Sequence, residues 1–197
     1  MKTDCRRLIY LHGFRSSPSS FKAQRLAQVM REVGRSDDFV CPQLPASPAQ
    51  AMALILETLA PDERDVVVGS SLGGYYARHV AQHCGARAVL LNPSIEPAES
   101  LSRQLGATTL FHSNEPFEFK PSYLDELRRF AVPFVSHPER CLLIAATGDE
   151  VLDWRAMVAA WQGAKIFVIA GSDHGISDFD EHLWRVLDFA GIAWRKW

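Results

Sequence analysis

The sequence predicts an α/β fold in which about six parallel strands carry helices on both faces, and three observations predict it. Short, continuous apolar runs recur along the chain. Amphipathic stretches with helical spacing lie between them, and Gly or Pro marks most of the junctions. A strand covered on both faces reads as an unbroken run of Val, Ile, Leu and Ala, and strands that alternate with helices pair in parallel.

In chain order, the first run is Leu8 to Leu11, followed by an amphipathic stretch from Phe21 to Val33. Leu26, Val29, Met30 and Val33 share one face of that stretch, and Gly34 supplies a stop. Phe39 to Cys41 predicts the second strand, and the amphipathic stretch Pro48 to Leu59 predicts the second helix. Val66 to Val68, a helix from Leu72 to Cys84 ended by Gly85, and a strand from Ala88 to Leu91 come next. The last third holds a strand from Leu142 to Ala146, a helix from Trp154 to Trp161 ending near Gly163, a strand from Ile166 to Ala170, and a helix from Asp178 to Ala190 ended by Gly191.

One interval breaks this rhythm, because roughly 45 residues separate the run ending at Leu91 from the one starting near Leu142, which is too long for a plain connection. We expect one domain over residues 1–197 with a cap insertion at about 94–138 over the carboxyl edge of the sheet. The interval holds five of the eleven phenylalanines, Phe111, Phe117, Phe119, Phe130 and Phe134. It also holds a helix pattern from Ser122 to Ala131, begun by Pro121 and a Ser-x-x-Asp capping pattern. Its aromatics either form the insertion's own core or line a substrate pocket.

Composition narrows the functional classes. Hydrophobic residues make up 47% and charged residues 22%, with a formal net charge of −2 and no long run of either sign. That balance does not call for nucleic acid or an anionic membrane surface as a partner. No apolar stretch approaches the roughly 20 residues that span a bilayer. The charged start Met1 to Arg7 is not followed by the apolar core of a secretory leader, so the expected localisation is cytoplasmic. Cys5, Cys41, Cys84 and Cys141 lie far apart without Cys-x-x-Cys spacing and read as buried, reduced thiols. Trp194 and Trp197 read as exposed terminal aromatics.

The chemistry concentrates in three segments. Gly69-Ser70-Ser71-Leu72-Gly73 follows a strand directly and precedes a helix, which is the setting of a nucleophile elbow. A serine turned outward there sits in strained backbone geometry, so its neighbours two residues away must be small, as Gly69 and Gly73 are. The helix that follows presents unpaired N–H groups and the positive end of its dipole to developing negative charge. Ser71 is therefore the candidate nucleophile, whereas Ser70 lacks the flanking spacing.

A serine hydroxyl needs a base, normally a histidine oriented by a carboxylate, and in this strand–helix order acid and then histidine follow the serine. Asp149 comes first in Thr147-Gly-Asp-Glu-Val-Leu-Asp153, after the strand ending at Ala146, with Gly148 letting the chain turn. Glu150 and Asp153 are alternatives that read more simply as loop charge or as a helix N-cap before Trp154. His174 follows the last strand in Gly171-Ser-Asp-His-Gly175, where small neighbours allow a mobile, accessible imidazole; Asp173 reads as a turn residue. His112, His137 and His182 lack this position.

Two backbone N–H groups are placed to receive an oxyanion, those of Leu72 and of Phe14 in Leu11-His12-Gly13-Phe14. His12 reads as a structural, hydrogen-bonded histidine. His79 and His83 share a helical face at a spacing that can hold zinc, but no glutamate follows His79 and no third ligand is evident, so no metal is expected. No phosphate-cradling glycine loop is present in the sequence and no cofactor is implied.

Together, Tyr10-Leu-His-Gly-Phe14 with Ser16-Ser-Pro18, Pro42-Gln-Leu-Pro45, Gly69-Ser-Ser-Leu-Gly-Gly-Tyr-Tyr-Ala77, Asn92-Pro93 and Thr147 to Asp153 resemble the YqiA-like esterases, a group of compact α/β hydrolases. The resemblance spans nearly the whole chain. It departs after His174, where Gly-Ile-Ser follows, and it is loose in the cap. It implies the α/β-hydrolase fold and hydrolysis of small acyl esters or thioesters without metal or cofactor, through Ser71, Asp149 and His174. The same residues would serve a thioesterase, and a noncatalytic binding module on a hydrolase shell is the alternative of a different class.

Overall fold

A computed structural model of the chain describes residues 4–111 and 113–194; His112 and Trp197 therefore lie outside the described residues. Six strands form one parallel sheet: β1 (Leu8–Leu11), β2 (Phe39–Val40), β3 (Val66–Ser70), β4 (Arg87–Leu91), β7 (Cys141–Ala146) and β8 (Lys165–Ile169). Their order is β2-β1-β3-β4-β7-β8. Strands β5 (Gly106–Thr109) and β6 (Pro116–Phe119) pair separately as an antiparallel hairpin inside the long interval between β4 and β7.

Period-2 alternation along the strands sends successive side chains to opposite faces and so creates two apolar cores. Leu8, Tyr10, Val66 and Val68 join Leu26 and Met30 of α1 (Phe21–Glu32) and Phe179, Leu183 and Leu187 of α7 (Phe179–Ala190). Ile9, Leu11 and Val67 point the other way. They join Met52 of α2 (Pro48–Ala53), Tyr76 and Val80 of α3 (Leu72–Cys84), and Met157 of α6 (Trp154–Ala160). The expected α/β-hydrolase architecture, a six-stranded parallel sheet with helices on both faces, is the one observed.

Several local expectations need correction. Of the four cysteines expected to be buried, Cys5 and Cys141 are, while Cys41 and Cys84 are only partly covered; all four are free thiols. The helix expected over Pro48 to Leu59 divides: Leu54–Leu59 runs as a π-helix, with Ala60 N donating to Ile55 O at 3.0 Å, and Ala60 ends it in the left-handed region at φ 43°. Pro121 and Ser122 do open a helix, α5 (Ser122–Arg129), but no side-chain cap bond forms because Ser122 already lies inside it. Trp194 is half-buried against the α1–α7 core, and its Nε1 donates to Glu32.

The long interval also contains α4 (Pro97–Ser100) and is tied firmly to the sheet's helices. Tyr75 Oη on α3 donates to Leu127 O at 2.6 Å. Glu126 accepts from Ser47 Oγ and Ala49 N, adding a partner at the N-terminus of α2. Its aromatics divide between a core shared with the sheet and the wall of a cavity. Phe119 is fully buried and meets the Phe14 ring edge-on at 5.0 Å, as Phe117 does at 5.2 Å, while Phe111 is exposed and lines a cavity.

At the amino end of the sheet, away from the strands' carboxyl edge, Asp65 is fully buried between two guanidinium forks. Arg6 and Arg7 each place Nη2 2.6 Å from its Oδ2, and Asp62 N donates to the same oxygen. Burial alone would raise its pKa, but the bonds from Arg7, Arg6 and the Asp62 amide outweigh this and hold it at about 2. The folded value lies below the unfolded value near 3.9, so the stabilisation is complete above about pH 4 and disappears as the pH falls toward 2. Asp65→Asn should cost on the order of 2 kcal/mol at pH 7 and progressively less at lower pH, measured by urea unfolding of both proteins. An unfolding midpoint unchanged at pH 7 would rule this out.

Candidate active site

Ser71 occupies the junction where β3 ends and α3 begins, with φ 54° and ψ −118°, a strained conformation for any residue with a Cβ. The strain is imposed by close packing. A Cβ on Gly69 would fall 2.2 Å from Gly73 O, and one on Gly73 would fall 1.9 Å from Leu11 O. Both glycines are therefore required for the turn to pass between β1 and its own helix. Ser71 N donates to Leu91 O, while Ser71 O accepts from Gly74 N and Ser94 N, so the turn is bonded on both sides.

The structure brings the three sequence-predicted residues together. His174 Nε2 lies 3.0 Å from Ser71 Oγ, and His174 Nδ1 lies 2.8 Å from Asp149 Oδ2. The Asp149 side chain has no solvent exposure, and its other oxygen accepts the amides of Val151 and Leu152, each at 2.8 Å. A carboxylate held in this way assigns the imidazole proton to Nδ1 and turns the Nε2 lone pair toward the serine hydroxyl. The two alternative acids serve elsewhere. Asp153 caps α6 through Arg155 N, and Glu150 accepts from the backbone N of His174 at 3.0 Å.

The backbone of the loop carrying His174 is held by two side chains. Glu150 takes the His174 amide, and Asn92 Nδ2 donates to the carbonyls of both Asp173 and His174, at 3.0 and 3.1 Å. Asp173 accepts from the amide and hydroxyl of Ser177, which makes it the expected turn residue, and Ser172 Oγ donates to Asp178 at the start of α7. Gly148 is needed for close approach rather than for turning: a Cβ there would lie 2.1 Å from Ser172 O.

Asn92 is the residue that the chemistry of the sequence leaves without a role. It is fully buried at the end of β4 in the left-handed region at φ 41°, and its Oδ1 accepts Ala146 N at 2.8 Å. One side chain thus joins the strand that leads to Asp149 and the loop that carries His174. Its place at the carboxyl end of a central strand, next to Pro93, was the available signal.

Leu72 is the first residue of α3, where an amide has no intrahelical partner by position. Gly13 lies against the serine, since a Cβ there would be 3.3 Å from Ser71 Cβ, and this brings the following residue, Phe14, to the same corner. His12 is buried with Nδ1 3.0 Å from Gly13 O and Nε2 accepting from Leu44 N, so it fixes the loop before Phe14 as a neutral imidazole. His79 and His83 stack 4.0 Å apart, with their Nδ1 atoms on the carbonyls of Phe130 and His79. Burial lowers the pKa of His79.

Ser71 and His174 open into a cavity of about 700 Å³ whose wall includes Leu101, Phe111, Val151 and Leu152. A group that can accept the serine proton and an apolar recess next to it are among the parts needed for acyl transfer.

The model of the uncharacterised protein family UPF0227 matches residues 7–191. The chain belongs to this family. A UPF0227 protein of Pectobacterium atrosepticum is 26% identical over 197 residues, covering 94% of this chain and 99% of that protein. The YqiA-like resemblance drawn from the motifs thus holds as family membership. Among solved structures, mouse alpha/beta hydrolase domain-containing protein 10 superposes with a TM-score of 0.68 at 16% identity, covering 97% of this chain and 90% of that one. Est1E from Butyrivibrio proteoclasticus with ferulic acid bound gives 0.67 at 13% identity, covering 96% and 88%. These likenesses establish the α/β-hydrolase fold. Among the described residues, no helix is long and apolar enough to cross a membrane.

Proposed function

We propose that the protein is a serine esterase that hydrolyses carboxylic acyl esters through an acyl-enzyme on Ser71. The observation that carries this reading is the unbroken chain from Asp149 through His174 to the Ser71 hydroxyl, 2.8 and 3.0 Å long, ending on a strained serine at the wall of an apolar cavity. Esterases among proteins of the same fold support the reaction class.

In the proposed cycle, Ser71 Oγ attacks the ester carbonyl carbon as its proton passes to His174 Nε2. The Asp149 carboxylate stabilises the imidazolium that results. The carbonyl oxygen, now carrying the negative charge, is received by the amides of Leu72 and Phe14, a kind of donor whose removal costs about 10² to 10³ in rate elsewhere. Collapse of this intermediate breaks the bond to the alkoxy oxygen, which takes the proton from His174 and departs as alcohol. Water then repeats the sequence on the acyl-serine, giving the acid and restoring the serine hydroxyl. The ring contacts of Phe14 with Phe117 and Phe119 give the inserted segment a part in this scheme, because they hold the loop whose amide receives the oxyanion.

A fluorophosphonate probe tests the reading without a known substrate, because it phosphonylates only an activated serine. The expected result is stoichiometric modification of the peptide containing Ser71, abolished in His174→Ala. Absence of labelling in folded protein, or labelling on another residue, would overturn it.

A further inference from the structure

The cavity beside Ser71 is unevenly charged. Among the described residues that line it there is no Asp, Glu or Arg, and apart from His174 the one basic side chain among them is Lys22. Lys22 lies in the first turn of α1, beside the exposed Phe21 at the cavity wall, and its ammonium donates to the carbonyl of Gly175, the residue after His174. Burial lowers its pKa to about 8, opposed by the charge of Asp173. That carboxylate is already engaged by the amide and hydroxyl of Ser177.

An ammonium carries three donors, and Gly175 takes one of them. A wholly apolar substrate filling this cavity would strip water from the remaining donors and give nothing in return, whereas an anionic oxygen would replace that water with charge-assisted bonds. The position of the ammonium also indicates which part of the substrate it would meet. In the proposed cycle the alkoxy oxygen must lie against His174 to collect its proton, and Lys22 is bonded to the residue immediately after that histidine.

We propose that Lys22 is a specificity-determining residue that receives an anionic oxygen group, such as a carboxylate, on the alcohol portion of the ester. This inference rests on the esterase reading above and names a substrate class for the same site: acyl esters of acidic alcohols. The apolar wall formed by Leu101, Phe111, Val151 and Leu152 is left for the acyl chain.

The test uses two pairs of esters matched in shape. In the first, butyrate is esterified to 3-hydroxybenzoate or to its neutral carboxamide, which places the charge on the leaving group. In the second, phenol is esterified to adipate or to its half-amide, which places the charge on the acyl chain. The readout is the ratio of kcat/KM for the acid over the amide, each corrected for its rate with hydroxide. For the first pair the ratio should be about tenfold in the wild type, fall to near one in Lys22→Met, and return at least in part in Lys22→Arg. For the second pair it should be near one throughout. Because Lys22 also holds the His174 loop, the ratio rather than the rate is diagnostic. A wild-type ratio near one for the first pair, a preference that survives Lys22→Met, or a preference confined to the adipate pair would each overturn the inference while leaving the esterase reading intact. If neither pair is hydrolysed and Ser71 takes no fluorophosphonate, the esterase reading fails and this inference fails with it.

Discussion

Ser71→Ala is expected to lower kcat/KM for an activated ester such as p-nitrophenyl butyrate by about 10⁴ to 10⁶, and His174→Ala to cost a comparable amount. The serine supplies the oxygen that becomes acylated, and the imidazole removes its proton from 3.0 Å away. Either loss closes the acyl-enzyme route, so the double variant should be little worse than either single one. Multiplicative losses in the double variant would show that the two residues do not share a mechanism. Ser71→Ala also relieves no backbone strain, because alanine keeps the Cβ that makes φ 54° costly, and its unfolding free energy should stay close to that of the wild type. Full activity in Ser71→Ala on every ester tested would end the esterase reading.

The parts of this molecule that were legible in the sequence are those set by local pattern. Continuous apolar runs such as Val66 to Val68 and Leu142 to Ala146, short and alternating with helical stretches, read as strands covered on both faces, and the structure buries them. The small residues of the elbow had a steric reason that could be stated in advance, and the close approaches at Gly69 and Gly73 supply its geometry. The inserted segment was less legible because its hairpin lacks a strand signature. Gly106-Ala-Thr-Thr109 is short and largely exposed, and its partner strand opens with Pro116.

What sequence reasoning missed was nonlocal. Asn92 bonds residues more than 50 positions away, Glu150 holds an amide 24 positions away, and Lys22 reaches a carbonyl 153 positions away. Asn92 and Glu150 stand within the strings Asn92-Pro93 and Thr147 to Asp153, and Lys22 in none, but no local pattern shows these bonds, since each acts only when the carboxyl ends of the strands are assembled. Glu150 shows the consequence most clearly: read along the chain it is a rival acid to Asp149, and in space it is a brace for the histidine that Asp149 orients.

That distinction carries the second large effect. Asp149→Asn should lower kcat/KM by about 10⁴ while the fold is retained. The reason lies in the second oxygen of the carboxylate, which accepts the amides of Val151 and Leu152 at 2.8 Å each. An asparagine at this position must keep its carbonyl oxygen on those two donors, because its NH₂ group cannot accept from them. The NH₂ group is then forced toward His174 Nδ1, where it donates. The imidazole must accept at Nδ1 and so carries its proton on Nε2, facing Ser71, where it can no longer act as a base. Glu150→Gln and Asp153→Asn keep the oxygen that accepts from His174 N or from Arg155 N, and each should cost less than about tenfold. The measurement is kcat/KM for the three variants, with circular dichroism to show that each is folded. If Asp149→Asn stays within tenfold of the wild type while Glu150→Gln is severely impaired, the acid that orients His174 is Glu150, and the tautomer argument falls although the serine and histidine keep their roles.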